Sequence, residues 1–142
     1  MDKKPKVVVI GGGSGISVVL RGLKYLPVDL TAIVTVADDG GSSGLLRKEF
    51  DVPAPGDLRN VMVALSDVEP LIEEVFQYRF KKDSFLGGHP LGNLLIIAMK
   101  ELTGDIRSAV DNLRKLFNIK GKILPATSEK VVLMAEKEDG KI

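Results

Sequence analysis

The segment from Val7 to Gly15, VVVIGGGSG, constrains the fold more than any other part of the chain. Its four apolar residues, all of them β-branched, are typical of a buried strand in a parallel sheet. From Ile16 onward, apolar residues recur at helical spacing, which predicts a helix directly after the glycines. A strand, a glycine turn and a helix N-terminus together favour an anion, because the helix dipole and the unpaired amides both attract negative charge.

The glycine turn predicts phosphate binding without identifying the ligand. It consists of Gly11, Gly12, Gly13, Ser14 and Gly15. Ile16 stands where the G-x-G-x-x-G dinucleotide fingerprint needs its third glycine, and no Lys-Ser/Thr pair follows as in a P-loop. A tight turn without a ligand is the alternative interpretation. Four glycines in five positions exceed what a turn alone requires, so phosphate binding is favoured.

Composition excludes several classes of protein. The 142 residues carry a formal net charge of +1, so no global field draws the chain to nucleic acid or to a membrane. The absence of cysteine excludes disulfides, thiolate metal sites and cysteine nucleophiles. No apolar run is long enough to span a bilayer, and we expect no signal peptide before the first strand. We expect one cytoplasmic domain, residues 1–142, with no nucleic-acid or membrane partner.

A second buried strand is predicted over Leu30–Val36, which completes a right-handed βαβ unit with parallel strands. The loop after it carries the candidate ligand residues Asp38, Asp39, Gly41, Ser42 and Ser43. Because ligands of open α/β sheets bind at the carboxyl ends of the strands, this loop should face the same crevice as the glycine turn. One carboxylate could bind ribose or sugar hydroxyls, or hold Mg²⁺ against a phosphate. A solvated turn is the alternative.

Three further groups of polar residues are candidates, and two of them lie directly before predicted helices. Asp57 fits an N-cap for a helix over residues 58–65, with Arg59 and Asn60 in its first turn. His89 and Asn93 precede the apolar helix over residues 94–102, and each is balanced between a structural role and ligand contact. Arg47 and Lys48 are candidate phosphate partners, although surface charges are at least as good an interpretation.

The remaining pattern completes an α/β chain whose sheet is small for its helices. We predict helices over 69–80 and 105–117, the latter capped by Asp105, and strands over 122–124 and 131–135. Asp139-Gly140 is a hairpin signal, yet only two residues follow it. The predicted fold class is a three-layer α/β/α Rossmann-like fold with a mainly parallel sheet, incomplete at the C-terminus. The chain is therefore expected to be the N-terminal part of a longer domain.

Five motifs taken together carry a family resemblance. They are VVVIGGGSGISVVLRGLKYLP (7–27), TVADDGGSSGLLR (35–47), PGDLRN (55–60), HPLGN (89–93) and LPAT (124–127). With them, the chain resembles the YvcK group of the CofD-like family, the bacterial gluconeogenesis factors. The resemblance covers essentially the whole chain, and the set is far more specific than any one motif.

The resemblance implies a Rossmann-like fold that binds a nucleotide or nucleotide sugar. Proteins of the YvcK group bind UDP-N-acetylglucosamine and are linked to gluconeogenic growth, cell shape and cell-wall precursor supply, without an established reaction. The other branch, the 2-phospho-L-lactate transferases, holds Mg²⁺ with acidic residues at positions that Asp38 or Asp39, with Asp57, match here. The GGSSG run and the PGDLRN segment resemble the YvcK branch instead.

Three functional hypotheses follow. The first is a regulatory protein that binds UDP-N-acetylglucosamine or a related nucleotide without catalysis. In it, the glycine turn would hold the diphosphate and the loop after the second strand would contact ribose or sugar hydroxyls. His89 and Asn93 would close the site. The second is a Mg²⁺-dependent transferase in which Asp39 and Asp57 hold the metal. The third, an NAD-binding oxidoreductase, is disfavoured because the fingerprint is imperfect and no acid/base pair is recognisable. A homo-oligomer is compatible with each of them.

Overall fold

The computed structural model describes residues 3–38 and 40–142. Three parallel strands form a sheet in the order β1-β2-β3, with Val9 paired to Ala32 and Ala32 to Ile123. This confirms an α/β fold with a parallel sheet. In chain order the elements are β1 (Lys6–Gly11), α1 (Gly13–Leu23), β2 (Asp29–Val34), α2 (Gly41–Phe50), α3 (Gly56–Leu65), α4 (Glu69–Gln77), α5 (Leu91–Thr103), α6 (Ile106–Leu116) and β3 (Lys122–Pro125).

The β1–α1–β2 unit forms as the sequence predicts, with an earlier helix start. Helix α1 begins at Gly13, so the glycine turn itself supplies the first helical turn. Ile16 and Leu20 are buried on its inner face, whereas Val19 is half-exposed. The unit places the ends of β1 and β2 side by side, because parallel strands run in the same direction.

Strand β1 is covered on one face only. Val7 and Val9 pack against the core, but Val8 is 56% exposed and Ile10 is 75% exposed. The expectation of a strand buried on both faces is therefore wrong for this part of the fold. Successive side chains of a strand point to opposite faces. The described helices cover the face that carries Val7 and Val9.

Helix α3 is the centre of the core and the support of the site. Its side chains at Leu58, Val61, Met62 and Leu65 are fully buried, and it packs against α1, α4, β2 and β3. Such a helix is held by apolar contacts along most of its length. Its first turn consequently has a fixed position at the carboxyl edge of the sheet.

The C-terminal segment differs from the sequence prediction. Residues 131–135 form no strand, and Val132, Leu133 and Met134 are exposed. A strand needs a neighbour for its backbone hydrogen bonds, and among the described residues this segment has none. The hairpin signal at Asp139-Gly140 yields only a turn, closed by a hydrogen bond from Lys137 N to Lys141 O of 2.9 Å.

Helix α4 ends at Gln77, three residues before the predicted end. The chain then makes an excursion in which Arg79 pairs with Pro90 and Phe80 pairs with Gly87 in isolated bridges. Phe80 thus belongs to this excursion and not to the helical packing face. Its return brings His89 and the start of α5 to the carboxyl edge of the sheet.

None of the helices in residues 3–38 and 40–142 has both the length and the apolar character that crossing a membrane requires.

Asp105 is the N-cap of α6, as predicted. The substitution Asp105→Ala should lower the free energy of unfolding by about 1 kcal/mol. Its side chain accepts hydrogen bonds from Ser108 N at 2.8 Å and Ser108 Oγ at 2.9 Å. Bonds from Ser108 hold the pKa of the Asp105 carboxyl below its usual range. Asp111→Ala is the matched control, because its ion pairs with Arg114 and Lys115 are exposed and contribute less.

The pH dependence of this cap has a definite sign. A carboxyl whose folded pKa is lowered stabilises the protein above its unfolded pKa, near 4, and the contribution is lost as pH falls through the folded value. The difference between the parent chain and Asp105→Ala in urea unfolding should therefore be full at pH 7 and shrink well below pH 4. A difference that is the same at both pH values would contradict the capping role.

Candidate functional site

Helices α1 and α2 begin with the same local structure at the same edge of the sheet. Gly12 and Gly40 are extended N-caps, and each is followed by a glycine with positive φ, +62° at Gly13 and +51° at Gly41. In the part of the chain that the structure describes, neither N-terminus has a side-chain cap or an acidic residue in its first turn. Their first backbone N–H groups are consequently available to an anion. The Gly/Ser run after β2, which the sequence predicts as a loop, is instead the first turn of α2.

The first turn of α3 packs tightly against both glycine turns. A Cβ added at Gly12 would lie 2.0 Å from Thr35 Cγ2 and 2.8 Å from Asp57 Oδ2. A Cβ added at Gly56 would lie 2.6 Å from Ser43 Oγ and 3.9 Å from Asp38 Oδ2. The turns after β1 and β2 therefore meet at the start of α3.

Asp57 does not cap α3, contrary to the sequence prediction. The N-cap is Pro55, it makes no side-chain cap bond, and Asp57 lies inside the first turn. An aspartate in that position is favourable to the helix dipole without being tied to a capping bond. Its carboxylate instead lies beside Gly12, at the site.

A chain of side-chain hydrogen bonds connects three helices and the excursion before α5. Ser42 Oγ lies 2.8 Å from His89 Nδ1, and Asn93 Nδ2 donates to Ser42 Oγ at 3.1 Å. Arg59 Nη1 in turn donates to Asn93 Oδ1 at 2.7 Å. Asn93 is completely buried, so its amide orients both Ser42 and Arg59. Sequence reasoning left His89 and Asn93 open between structural and ligand roles, and this chain gives each a structural contact next to the cavity.

These residues surround a cavity of about 260 Å³ at the carboxyl edge of the sheet. Of the predicted site residues, six line it: Asp38, Gly41, Ser42, Ser43, Asp57 and Asn93. The rest of its lining is Gly40, Gly56, Arg59, Asn60 and Arg79. His89 is one hydrogen bond away, and Asp39 lies outside the described residues.

The glycine turn borders a second, adjacent cavity. Gly13 and Ser14 line this space, which is about 310 Å³ and shares Asn60 with the first. Gly12 lines neither cavity, and a Cβ added there would meet Asp57, which lines the first. Gly11 ends β1, where a Cβ would meet Ile16, and a Cβ at Gly15 would meet nothing within 4 Å.

Arg59 is the main buried charge at the site. Arg59 is 9% exposed. Burial, together with the positive charge of Arg79, lowers the pKa of the Arg59 guanidinium to about 10, and the negative charge of Asp57 acts in the opposite direction. Arg59 Nε is also buried without a hydrogen-bond partner among the described residues. A bound anion would supply the missing charge and acceptor together, so the site is suited to phosphate.

Arg47 and Lys48 are not in either cavity. Arg47 is buried, although the sequence favoured an exposed surface charge at this position. Its Nη1 donates a hydrogen bond to Val131 O. Lys48 is exposed on the outer side of α2. Arg47 therefore anchors the C-terminal segment, which explains why Val131 packs against the core.

Sequence reasoning missed Thr35, Gln77 and Arg79. Gln77 donates from Nε2 to Asn60 Oδ1 at 3.1 Å, and Arg79 donates to Gly88 O and lines the first cavity. Both residues belong to the segment 69–80, which the sequence predicts as one helix without site residues. The end of α4 decides their positions, and no local signal after Gln77 indicates it.

The described residues contain no group of three or more histidine, aspartate or glutamate side chains placed to hold a metal ion. Asp38 and Asp57 are the two described carboxylates of the first cavity. Asp38 accepts a hydrogen bond from Gly40 N at 3.0 Å. These two side chains would be the protein ligands for a Mg²⁺ ion carried in with a phosphate, since Mg²⁺ commonly takes one or two carboxylates and phosphate oxygens.

A larger cavity, about 530 Å³, lies at the opposite edge of the sheet. Its buried cation, Lys24, donates to Ser66 O at 2.8 Å and to Glu69 Oε2 at 2.9 Å. Lys120 is paired with Asp67 at 3.0 Å. With these charges already paired, the carboxyl edge is the better candidate site, in line with ligand binding in open α/β sheets.

Comparison with known proteins identifies relatives over the whole chain. Residues 7–142 match the family described as 2-phospho-L-lactate transferase CofD. The protein named gluconeogenesis factor in Bacillus subtilis (strain 168) is 60% identical over 142 residues, 100% of this chain and 45% of that protein. The gluconeogenesis factor of Halalkalibacterium halodurans is 59% identical over 140 residues, 99% of this chain and 44% of that protein.

Solved structures show the same fold. A crystal structure of a protein from Bacillus halodurans matches with a TM-score of 0.92 at 58% identity, covering 98% of this chain and 45% of that chain. A second crystal structure, of a member of the UPF0052 family from Bacillus halodurans, matches with a TM-score of 0.90 at 55% identity. The chain spans about 45% of the length of the relatives that it matches.

Proposed function

The chain belongs to the CofD family, and from this premise we propose that it binds a nucleotide sugar, UDP-N-acetylglucosamine or a close relative, as a regulatory protein linked to gluconeogenic growth. The names of its relatives support the gluconeogenic link, and the proposal extends it to cell shape and the supply of cell-wall precursors. Binding, and not turnover, is the proposed activity. We also propose a cytoplasmic location, since a chain without cysteine needs no oxidising compartment.

One observation carries the proposal: the hydrogen-bond chain that holds Arg59 beside the N-terminus of α2. Ser42 and Asn93 position the guanidinium at 2.7 Å from Asn93 Oδ1, in a cavity that Gly41 and Ser42 also line. A fixed, buried guanidinium next to unpaired helix amides suits a diphosphate. Asp38 and Asp57 are acceptors for ribose or sugar hydroxyls at the same cavity.

A Mg²⁺-dependent transferase is the second candidate, and the pair of carboxylates at Asp38 and Asp57 favours it. In such an enzyme these two side chains would hold Mg²⁺ against the phosphates of the substrate. The family description names a transferase, which supports a shared phosphate site.

Calorimetric titration of the chain with UDP-N-acetylglucosamine, GDP and NAD, each with and without Mg²⁺, tests the proposal. We expect binding of the UDP-sugar without added metal, because Arg59 and the helix N-termini supply the positive potential. The Bacillus subtilis gluconeogenesis factor, titrated in parallel, is the longer reference. Binding of GDP that requires Mg²⁺ would replace the proposal by the transferase, and binding of none of the three would refute it.

A further inference from the structure

The second cavity contains a buried hydroxyl that the fold leaves unsatisfied. Ser17, on the second turn of α1, is 4% exposed, and its Oγ has no hydrogen-bond partner in the described part of the chain. Helical serines ordinarily bond the carbonyl four residues earlier or face solvent. A buried polar group without a partner is costly, so a partner that arrives with a ligand would remove that cost.

The other lining residues of this cavity offer neutral hydrogen-bonding groups. The bonds of Asn60 in the described structure all fall on its Oδ1, from Gln77 Nε2 at 3.1 Å and Arg59 Nη2 at 3.4 Å. This leaves Asn60 Nδ2 as a donor and Gln77 Oε1 as an acceptor. Ser14 adds a hydroxyl at the first turn of α1, and Val18 and Val63 add apolar surface.

The charge of the cavity does not favour a second phosphate. Among the described residues, its one lining cation is Arg21, which donates to Glu69 Oε1, so this charge is balanced within the protein. The lining that the structure describes includes no aromatic side chain on which a base would stack. A neutral group rich in hydroxyl and amide functions, with an apolar edge, fits this set of side chains better than phosphate or base.

We infer that this cavity, bounded by Ser14, Ser17, Asn60 and Gln77, is the subsite for the sugar of a nucleotide sugar whose diphosphate lies at Gly13 and Arg59. The inference rests on the proposed function and assigns a position to one part of its ligand. The two cavities are adjacent, which supports the inference: Asn60 lines both of them, and Gly13, which follows Gly12 in the glycine turn, lines this one. A rotation of Ser17 about χ1 between staggered rotamers would direct its hydroxyl to the sugar.

The test compares Ser17→Ala with the parent chain, using UDP-N-acetylglucosamine and UDP as probes. Alanine favours the helix and removes only an unpartnered hydroxyl, so the variant should keep its thermal midpoint. We expect Ser17→Ala to weaken binding of the UDP-sugar by roughly three- to tenfold and to leave binding of UDP unchanged. Ser84→Ala, an exposed serine in the excursion before α5, is the matched control and should change neither.

A second readout is the side-chain amide resonance of Gln77, which should shift with the UDP-sugar and not with UDP. If both probes bind Ser17→Ala as they bind the parent, and the Gln77 resonance does not move, the subsite is wrong while the proposed function stands. Equal weakening for both probes would also overturn the subsite, because Ser17 would then affect the diphosphate region. If the parent binds neither probe, the proposed function fails and the subsite fails with it.

Discussion

A Gly12→Ala variant should lose about 3 kcal/mol of folding free energy and bind UDP-N-acetylglucosamine at least tenfold more weakly than the parent chain. The backbone is not the cause, because Gly12 is extended, with φ −159° and ψ −173°, which any residue adopts. The cause is space: an added Cβ would lie 2.0 Å from Thr35 Cγ2 and 2.8 Å from Asp57 Oδ2. The glycine turn would have to move away from α3, and the helix N-terminus and Asp57 would separate.

Gly15→Ala is the matched control for this prediction. Gly15 lies in α1 only three residues away, and a Cβ there meets nothing within 4 Å. Alanine is a better helix former than glycine, so this variant should be as stable as the parent or more stable by up to about 1 kcal/mol. Urea unfolding of both variants measures the difference.

A double variant identifies the contact responsible. Thr35→Ser removes the Cγ2 atom that is closest to the added Cβ, and leaves the 2.8 Å contact with Asp57 Oδ2. Gly12→Ala combined with Thr35→Ser should therefore recover part of the lost stability, with a favourable coupling of the two changes. If Gly12→Ala unfolds at the same urea concentration as Gly15→Ala, the tight packing of the turns is refuted.

The parts of this fold that sequence predicts are those fixed by neighbouring residues. The apolar run of Val7 to Ile10, the helical spacing after Ile16 and the cap at Asp105 depend on interactions within a few positions, and each has the predicted local structure. Asp57 is an instructive failure. Its residue type suits an N-cap, but the close packing of Gly56 against Ser43 sets where the helix begins.

The site depends on contacts between distant parts of the chain. Ser42 and His89 are 47 positions apart, and Arg59 and Asn93 are 34 apart, yet they are hydrogen-bonded. The sequence places Ser42 near the carboxyl end of a strand, where the topology of a parallel sheet collects ligand groups. It places Arg59, His89 and Asn93 in or before predicted helices instead. It does not pair them, because pairing is decided by how α3 and α5 pack. Residues 131–135 show the converse: strand propensity without a neighbouring strand produces no strand.

The Arg59→Met substitution is expected to weaken ligand binding without lowering the stability of the fold. In the folded protein the pKa of Arg59 is lowered to about 10, chiefly by burial, so the fold disfavours a charge that it nevertheless carries at pH 7. Replacing buried charged groups by apolar side chains of similar volume is often neutral or stabilising when no charged partner is left unpaired. The thermal midpoint of Arg59→Met should therefore equal or exceed that of the parent, even though Asn93 Oδ1 loses its donor.

Binding should change in the opposite direction. The guanidinium lies beside the N-terminus of α2 in the 260 Å³ cavity, and charge-assisted bonds to phosphate contribute about 1.5–3 kcal/mol each. Arg59→Met should weaken binding of UDP-N-acetylglucosamine about a hundredfold, and Arg59→Lys, which keeps the charge without the fork of donors, should be intermediate. Arg107→Met, an exposed arginine on α6 outside the cavity, should bind like the parent.

Calorimetric titration and thermal unfolding of these three variants decide between a ligand-binding and a structural Arg59. A lower midpoint for Arg59→Met, with no loss of affinity in the folded protein, would make the arginine a structural support for Asn93. Unchanged affinity together with an unchanged midpoint would remove Arg59 from the site and leave Arg79 and the helix N-termini to supply its positive potential. A large loss of affinity at an undiminished midpoint would show that the fold keeps this charge for its ligand, since the fold alone has no need of it.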